Sequence, residues 1–331
     1  MKTKKWSLFL VLALSLCLLF SLSACGSSAD DGDDSAAKTY TIGVCQLVQH
    51  EALDAATQGF EDALIELLGE ENVTFDVQNA QGDSATCATI CSQFVASGND
   101  LILANATLAL QAAASATNEI PILGTSVTDY ATALDIDDWA GVTGTNISGT
   151  SDLAPLDEQA AMLKELFPDA KNIGILYCSA EANSVYQSQQ ITSYLEGYGY
   201  TCKEFTFSDS NDVRAVTANA ANESDVIYVP TDNTAASNAE VINNVCLPAE
   251  IPIVAGEAGI CASCGVATLS IDYYELGYTT GQMAYEVLVQ GADISAMEVQ
   301  YAPNVTKQYN AEICETLGIT VPDGYTALES K

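Results

Sequence analysis

From residue 39 onwards, the chain contains the same series of strand-like and helix-like segments twice. The first half alternates apolar runs such as YTIGV with segments of helical periodicity such as ALDAATQGFEDALIELL, and it ends in IPILGTS. The second half runs in the same order from NIGILYC to IPIVAGE. Gly43 and Gly174 are 131 residues apart, and so are Pro121 and Pro252. The chain is therefore predicted to form two similar β-α-β-α-β-α-β lobes.

Alternating strands and helices of these lengths predict an α/β fold, with two Rossmann-like lobes whose parallel sheets are covered by helices through right-handed crossovers. Ligands of such open sheets bind at the carboxyl ends of the strands, where helix N-termini present unpaired N–H groups. Two lobes with facing strand ends enclose a cleft that closes by hinge motion. We expect the first lobe to comprise 39–150 and about 273–292, and the second 151–272 and about 293–331.

The N-terminus is typical of a secretory signal peptide, predicted over 1–24. Three lysines precede an apolar stretch from Trp6 to Phe20, which is shorter than the ~20 residues of a membrane span. The ending Leu22-Ser-Ala-Cys25 resembles a bacterial lipobox, so Cys25 is predicted to carry a lipid; the alternative is an ordinary cysteine near a plain cleavage site. The small, acidic segment 25–38 is predicted to be a flexible tether. These features predict a lipid-anchored protein on the extracytoplasmic face of the cell membrane.

Composition argues against several partners and chemistries. The formal charge of −34 becomes −37 when the three lysines of the signal are removed, and such a surface repels nucleic acid and anionic lipid heads. Nine cysteines follow Cys25, an odd number that is not a disulfide framework. The one C-x-x-C, Cys261 to Cys264, is interpreted either as a local disulfide or as two free thiols.

His50 is the only histidine, which removes most triads and histidine-based zinc sites. Neither G-x-S-x-G, H-E-x-x-H nor a phosphate-binding loop occurs. We therefore expect no enzyme, no metal and no cofactor. His50 follows the first strand, so it is predicted either to contact a ligand at the cleft or simply to begin a helix. If it contacts the ligand, affinity should depend on pH and His50→Gln should change that dependence.

Several segments resemble one family in the correct order: IGVCQLVQHEALDAATQGF, VTFDVQNAQGD, SAEANSVYQSQQI, IYVPTDNTAASN and SIDYYELGYTTGQMA. They are similar to the ABC transporter substrate-binding proteins, a family that includes tryptophan/tyrosine-uptake lipoproteins. The resemblance covers about Thr39 to Pro322. It implies a type I periplasmic binding fold and a monomer that delivers a small solute, most simply an aromatic amino acid, to a membrane permease with a cytoplasmic ATPase. A sensor lipoprotein, or an importer component for a nucleoside or short peptide, stays open as an alternative.

The duplication predicts which residues line the cleft, because equivalent strand ends face each other. The predicted ligand-binding residues are Gln46, His50, Asn79, Thr107, Ser126, Thr128, Asp129, Glu181, Asn183, Thr231, Asp232, Asn233 and Glu257. An α-amino acid needs hydroxyl and N–H donors for its carboxylate, which suits Thr107 and Ser126 or Thr128, and an acceptor for its ammonium, which suits Glu257 or Asp232.

Other roles remain open for some of these residues. Asp232 and Thr107 could instead cap the helices that follow them, and Asp272 is a similar capping residue. Aromatic residues near strand ends could stack on the ligand or belong to the core or the rim. These are Tyr130, Tyr177, Tyr228, Tyr273 and Tyr274.

Overall fold

The computed structural model describes residues 38–302 and 304–328. The predicted signal peptide, Cys25 and all of the tether before Lys38 lie outside these residues. Within the described part of the chain, no helix is long and apolar enough to span a bilayer.

The first sheet has six parallel strands in the order β11-β5-β4-β3-β1-β2. Its strands are β1 (Tyr40–Gln46), β2 (Val73–Asn79), β3 (Leu101–Asn105), β4 (Ile122–Val127), β5 (Ile147–Ser151) and β11 (Gln300–Tyr301). The helices that follow its strands are α1 (Glu51–Leu68), α2 (Ser84–Ser97), α3 (Thr107–Ala116) and α4 (Tyr130–Leu134). Short 3-10 turns lie at Glu70–Asn72 and Ile294–Ala296.

The second sheet has seven strands in the order β13-β12-β10-β9-β8-β6-β7, all parallel except the antiparallel pair β10 and β12. Its strands are β6 (Asn172–Cys178), β7 (Thr201–Phe207), β8 (Val226–Val229), β9 (Ile253–Ala255), β10 (Ala267–Ser270), β12 (Thr306–Tyr309) and β13 (Thr326–Ala327). The remaining helices are α5 (Leu156–Leu166), α6 (Ala182–Gly197), α7 (Val213–Glu223), α8 (Asn233–Ser237), α9 (Ala239–Cys246), α10 (Ala258–Cys264), α11 (Tyr273–Leu288) and α12 (Ala311–Leu317). The predicted α/β class with two parallel-dominated sheets is confirmed.

Local sequence sets the ends of these helices. At α2, the Asp83 side chain accepts a hydrogen bond from the Thr86 N–H, which satisfies one of the unpaired donors of the first turn. The helix ends at Gly98, whose φ of 70° lies in the left-handed region that glycine adopts without steric penalty.

Within the described residues, the chain passes between the two sheets three times: between β5 and α5, between β10 and α11, and between β11 and β12. After the second passage, α11 packs along α1 of the first lobe. Glycines permit this close approach, because a Cβ at Gly277 would lie 1.9 Å from the Ala56 carbonyl oxygen, and one at Gly59 would lie 2.1 Å from that of Tyr274.

The structure differs from the predicted lobe boundaries at one place. The sequence assigned 293–331 to the second lobe, yet Gln300 and Tyr301 pair with Thr150 and Ser151 of the first sheet. The chain therefore adds an edge strand to the first lobe before it crosses for the third time. A two-residue strand has no periodicity that a sequence pattern could reveal.

Candidate ligand-binding cleft

The backbone is strained where β3 and β4 end at the cleft. Ala106, directly after β3, has a φ of 95°, and Ser126, near the end of β4, has a φ of 55°. Non-glycine residues in this region cost of order 1–3 kcal/mol each and concentrate at functional sites. Both positions lie at the edge of the first sheet that faces the second lobe.

Buried polar atoms without a partner occur in both lobes. Within the described residues, Thr107 Oγ1, Ser126 Oγ and Asn183 Oδ1 are buried and make no hydrogen bond. Thr107 is the first residue of α3, and the first-turn N–H groups of a helix have no acceptor within that helix. The Thr107 hydroxyl makes no capping hydrogen bond, so Thr107 does not cap its helix, which was its alternative role. The helix start and the two hydroxyls together provide donors for an anion.

Asp152 places a carboxylate at the first passage between the lobes. Its Oδ1 accepts from Thr128 Oγ1 at 2.9 Å, and its Oδ2 accepts from the Tyr273 hydroxyl at 2.9 Å. Burial raises the pKa of this carboxyl, while the two hydrogen bonds and the nearby charge of His50 oppose the rise. A carboxylate oxygen can accept more than one donor, so Asp152 retains capacity for a ligand cation.

His50 links the two lobes. Its Nε2 lies 3.1 Å from Asn233 Oδ1. The Asn233 Nδ2 donates to Glu181 at 2.7 Å, which orients the amide so that its oxygen faces the imidazole. The proton of this bridge therefore resides on Nε2 of His50.

A second bridge lies on α6 of the second lobe. Gln187 Nε2 donates to Thr128 Oγ1 of the first lobe at 3.5 Å and to the Thr231 carbonyl at 3.0 Å. Asn183, one turn earlier on the same helix, also donates to that carbonyl, at 3.1 Å. Together with the His50 bridge, the contact between Gln187 and Thr128 joins the two lobes, while the bonds to the Thr231 carbonyl lie within the second lobe.

Two of the predicted acidic residues accept hydrogen bonds from backbone N–H groups at the start of α8. Asp232 accepts from the N–H groups of Ala235 and Cys178 at 2.7 and 2.6 Å. Burial and the neighbouring charge of Glu181 raise its pKa to about 7. Glu181 accepts from the backbone N–H groups of Asn233 and Thr234. The structure therefore contains the capping role of Asp232, and its role as an ammonium acceptor stays a prediction.

The other predicted carboxylates also cap helices. Glu257 accepts from the Gly259 and Ile260 N–H groups at the start of α10, and burial raises its pKa despite the opposing charge of His50. Asp129 accepts from the Thr132 N–H at the start of α4. Each oxygen of Glu257 thus accepts one donor from its own lobe, and its role as a partner for a ligand ammonium stays a prediction.

Three further predicted residues hold their own lobes together. Gln46 donates to Asp54 and accepts from Thr57, so its amide is engaged within the first lobe. Asn79 lies at the end of the edge strand β2 and accepts from a turn N–H. The Thr231 backbone carbonyl accepts hydrogen bonds from two side chains of α6, Asn183 and Gln187.

Of the tyrosines proposed to stack on a ligand, Tyr273 contacts the cleft through Asp152. Tyr130 bonds the Thr150 carbonyl and Tyr228 bonds Gln159, both inside a lobe core. Tyr274 bonds Asp62 of α1 and, like Tyr273, lines a cavity at the hinge, and Tyr177 is buried in the second core.

Within the described residues, three cavities border both lobes. The smallest, of about 310 Å³, is lined by residues that include His50 and Glu257. A second, of about 420 Å³, is lined by Leu47, Val48 and Leu108 of the first lobe and by residues of the second lobe that include Glu181 and Asn233. The third, of about 590 Å³, lies at the hinge beside the starts of α1 and α11. Thr107, Ser126, Asp152 and Asn183 line none of these three cavities.

The nine described cysteines, Cys261 and Cys264 among them, are free thiols. In 38–302 and 304–328, no group of three or more histidine, cysteine or acidic side chains is arranged to hold a metal ion.

A family model for ABC transporter substrate-binding proteins matches residues 41–329. The chain belongs to the ABC transporter substrate-binding protein family. This is a family of solute-binding proteins with the type I periplasmic binding fold, which agrees with the two hinged lobes.

Among curated relatives, a tyrosine-binding protein of Clostridioides difficile is 38% identical over 273 residues, which are 80% of this chain and 79% of that protein. Among solved structures, an ABC domain from Streptococcus pneumoniae in complex with L-Trp is 33% identical, with a TM-score of 0.84 over 88% of this chain and 100% of that chain. A ligand-free, open substrate-binding protein with adhesive properties from Clostridium difficile is 36% identical, with a TM-score of 0.67 over the same shares.

The better match to the L-Trp complex than to the open structure indicates a closed arrangement of the lobes, because the two identities are similar. The bridges from His50 to Asn233 and from Gln187 to Thr128 give the same indication. The two lobes of the binding protein are therefore in a closed arrangement.

Sequence reasoning missed Asp152 and Gln187. Asp152 follows β5 in the segment GTSDLAP, and no helix comes directly after it. It therefore lacks the strand-to-helix pattern from which the other cleft residues were predicted. Gln187 could have been found from its position four residues after Asn183, which places both side chains on one face of α6.

Proposed function

We propose that this chain is the lipid-anchored, extracytoplasmic binding protein of an ABC importer, and that it captures an aromatic α-amino acid and delivers it to a membrane permease. The observation that carries the proposal is the pair of buried, unpartnered hydroxyls of Thr107, at the start of α3, and Ser126, on β4, together with the buried carboxylate of Asp152 after β5.

The ligand carboxylate would bind at the start of α3. The Thr107 and Ser126 hydroxyls are buried without a partner in the described structure, and a carboxylate would accept from both and from the helix N–H groups. Such an anion would also offset the unfavourable burial of the two hydroxyls.

The ligand ammonium would bind Asp152. Thr128 and Tyr273 each donate to one of its oxygens and so fix the orientation of the carboxylate. A bound ammonium would favour the ionised form and lower the pKa that burial raises.

The aromatic ring would occupy the cavity whose first-lobe wall consists of Leu47, Val48 and Leu108. These side chains offer apolar surface, and the cavity of about 420 Å³ falls in the range of small-molecule sites. The relative named as a tyrosine-binding protein and the structure solved with L-Trp support an aromatic ligand.

A thermal-shift screen of the twenty amino acids and the nucleosides tests the ligand class. We expect the largest rise in melting temperature with tyrosine or tryptophan, because a ligand that binds only the folded state stabilises it more as the ratio of its concentration to its Kd increases. A rise with nucleosides and none with aromatic amino acids would refute the aromatic assignment.

Lipid anchoring rests on the sequence around Cys25 alone. We expect the full chain, expressed in a bacterium, to incorporate labelled fatty acid and to fractionate with membranes. The Cys25→Ala variant should incorporate none. Labelling of that variant would contradict the assignment of Cys25.

A further inference from the structure

Glu181 is a carboxylate whose hydrogen-bonding capacity is used by its own lobe. It is 2% exposed, and its Oε1 accepts from the backbone N–H and the hydroxyl of Thr234 at 2.9 and 2.8 Å. Its Oε2 accepts from the backbone N–H and the side-chain amide of Asn233 at 3.1 and 2.7 Å, and from Asn183 Nδ2 at 3.4 Å. Two carboxylate oxygens offer about four lone-pair positions, so these donors leave none for a ligand.

This arrangement fixes the direction of the Asn233 amide. An ionised carboxylate accepts hydrogen bonds and cannot donate them, so Asn233 points its Nδ2 toward Glu181 and its Oδ1 away from it. That Oδ1 lies 3.1 Å from His50 Nε2 of the first lobe. If the amide were reversed, two oxygens would face each other within the second lobe and Nδ2 would face the imidazole.

The second-lobe half of the bridge is assembled independently of closure. Glu181, Asn233 and Thr234 all lie in the second lobe, so opening of the cleft breaks none of the bonds among them. His50 lies in the first lobe, directly before α1. Opening therefore breaks the bond between His50 and Asn233 and leaves the amide oriented for the next closure. A contact group that is already held in its bound orientation costs less entropy to engage.

We propose that Glu181 is a positioning residue: it orients Asn233 to accept the hydrogen bond from His50, and it thereby prolongs the closed, ligand-bound form without touching the ligand. The inference rests on the proposed function for the identity of the ligand. It deepens that function because it concerns how long the captured solute is held.

A double-mutant cycle on the dissociation rate of tyrosine, measured by stopped flow, tests the proposal. His50→Ala and Glu181→Gln should each raise the rate roughly threefold to tenfold, because the first removes the bridging hydrogen bond and the second releases the amide that accepts it. The double variant should release tyrosine no faster than the more affected single variant, since the second change has no bridge left to weaken. Effects that multiply in the double variant would overturn the proposal.

Asp232→Asn is the matched control. Asp232 is a second buried carboxylate at the start of α8, but it accepts from the N–H groups of Ala235 and Cys178 rather than from the Asn233 amide. Its effect on the dissociation rate, whatever its size, should multiply with that of His50→Ala. A failure to multiply here as well would show that the cycle reports the stability of α8, and the role of Glu181 would be overturned.

The imidazole supplies a second readout that does not need a variant. His50 is the only histidine in the chain, so untagged protein carrying isotope-labelled histidine gives one imidazole signal in nitrogen NMR spectra. In the tyrosine complex at about pH 8, where an unperturbed imidazole is neutral, Nε2 should carry the proton because it faces Asn233 Oδ1. An unprotonated Nε2 would overturn the bridge, and this result is available even where Glu181→Gln fails to fold.

Failure of the proposed function is a separate result. Tyrosine and tryptophan that do not bind the wild-type protein would refute the aromatic assignment. The compound that gives the largest shift in the thermal screen then replaces tyrosine in both measurements, and each outcome for Glu181 keeps its meaning.

Discussion

Replacing the Thr107 hydroxyl should affect binding and stability differently. In Thr107→Val, a methyl group takes the place of a hydroxyl that is 2% exposed and has no partner within the described protein. The free protein therefore loses no internal hydrogen bond. We expect its free energy of unfolding to stay within about 1 kcal/mol of wild type, with any change toward greater stability.

Binding should weaken in the same variant. A hydrogen bond to a charged group contributes about 1.5–3 kcal/mol, and its loss to the ligand carboxylate corresponds to roughly a tenfold to 150-fold weaker affinity. Isothermal titration with the best amino acid from the screen measures the affinity, and urea unfolding without ligand measures the stability.

Thr268→Val is the control. The Thr268 hydroxyl is also buried and unpartnered in the described structure, and it lies on β10 of the second lobe rather than at the start of α3. This variant should match or exceed wild-type stability and bind the ligand with unchanged affinity. A Thr107→Val protein that is destabilised by more than about 1 kcal/mol and binds normally would show that Thr107 has a structural role, and the carboxylate assignment would be wrong.

Three further predictions concern charged and bridging groups. Asp152→Asn should lower the affinity for an aromatic amino acid at least tenfold and leave the affinity for its deaminated analogue unchanged, as measured by titration. An equal loss of affinity for both ligands would contradict the role of Asp152 in binding the ammonium. His50→Ala should raise the dissociation rate of the ligand about threefold to tenfold in stopped-flow measurements, because the bridge to Asn233 closes the lobes; an unchanged rate would contradict that reasoning. Burial raises the pKa of Asp232 from 3.8 to about 7, so the folded protein holds this proton more tightly than the unfolded chain. Its contribution to the free energy of unfolding should be fully present below about pH 4 and should be lost as the pH rises to about 7, a change of at most about 4 kcal/mol. The difference in urea unfolding between wild type and Asp232→Asn, measured at several pH values, isolates this contribution. A difference that does not depend on pH would refute the raised pKa.

The fold followed from the sequence because each lobe buries long periodic segments. Strand runs such as YTIGV and helix α1 carry enough apolar residues in a regular pattern to predict their type, and the two copies support each other. The edge strand Gln300–Tyr301 did not follow, since two residues without burial leave no pattern. Its pairing depends on where the chain returns from α11, which is a property of the assembled lobe.

The location of the cleft edge could be predicted from the sequence, but the interactions of individual residues at that edge could not. Thr107 and Asn183 were predicted to follow strand ends at the cleft; they lie in the first turns of α3 and α6, and the structure leaves each with an unpartnered atom. Gln46 was placed at the same edge, yet its amide is consumed by Asp54 and Thr57. Whether a polar group faces a ligand or a neighbour depends on side-chain partners that lie far away in the sequence, such as Asn233 for His50, 183 residues apart, and one sequence does not reveal them.

The acidic residues illustrate a geometric reason for this ambiguity. In a β-α unit, the residue before the helix both borders the cleft and occupies the N-cap position, so a carboxylate there is drawn to the unpaired N–H groups of the first turn. Asp129, Asp232 and Glu257 all follow this rule and accept backbone hydrogen bonds from their own helices. Asp152 follows β5 at a passage between the lobes, and Pro155 rather than Asp152 precedes α5. Its carboxylate therefore faces hydroxyl groups instead of a helix start, which leaves it able to receive the ammonium of a ligand.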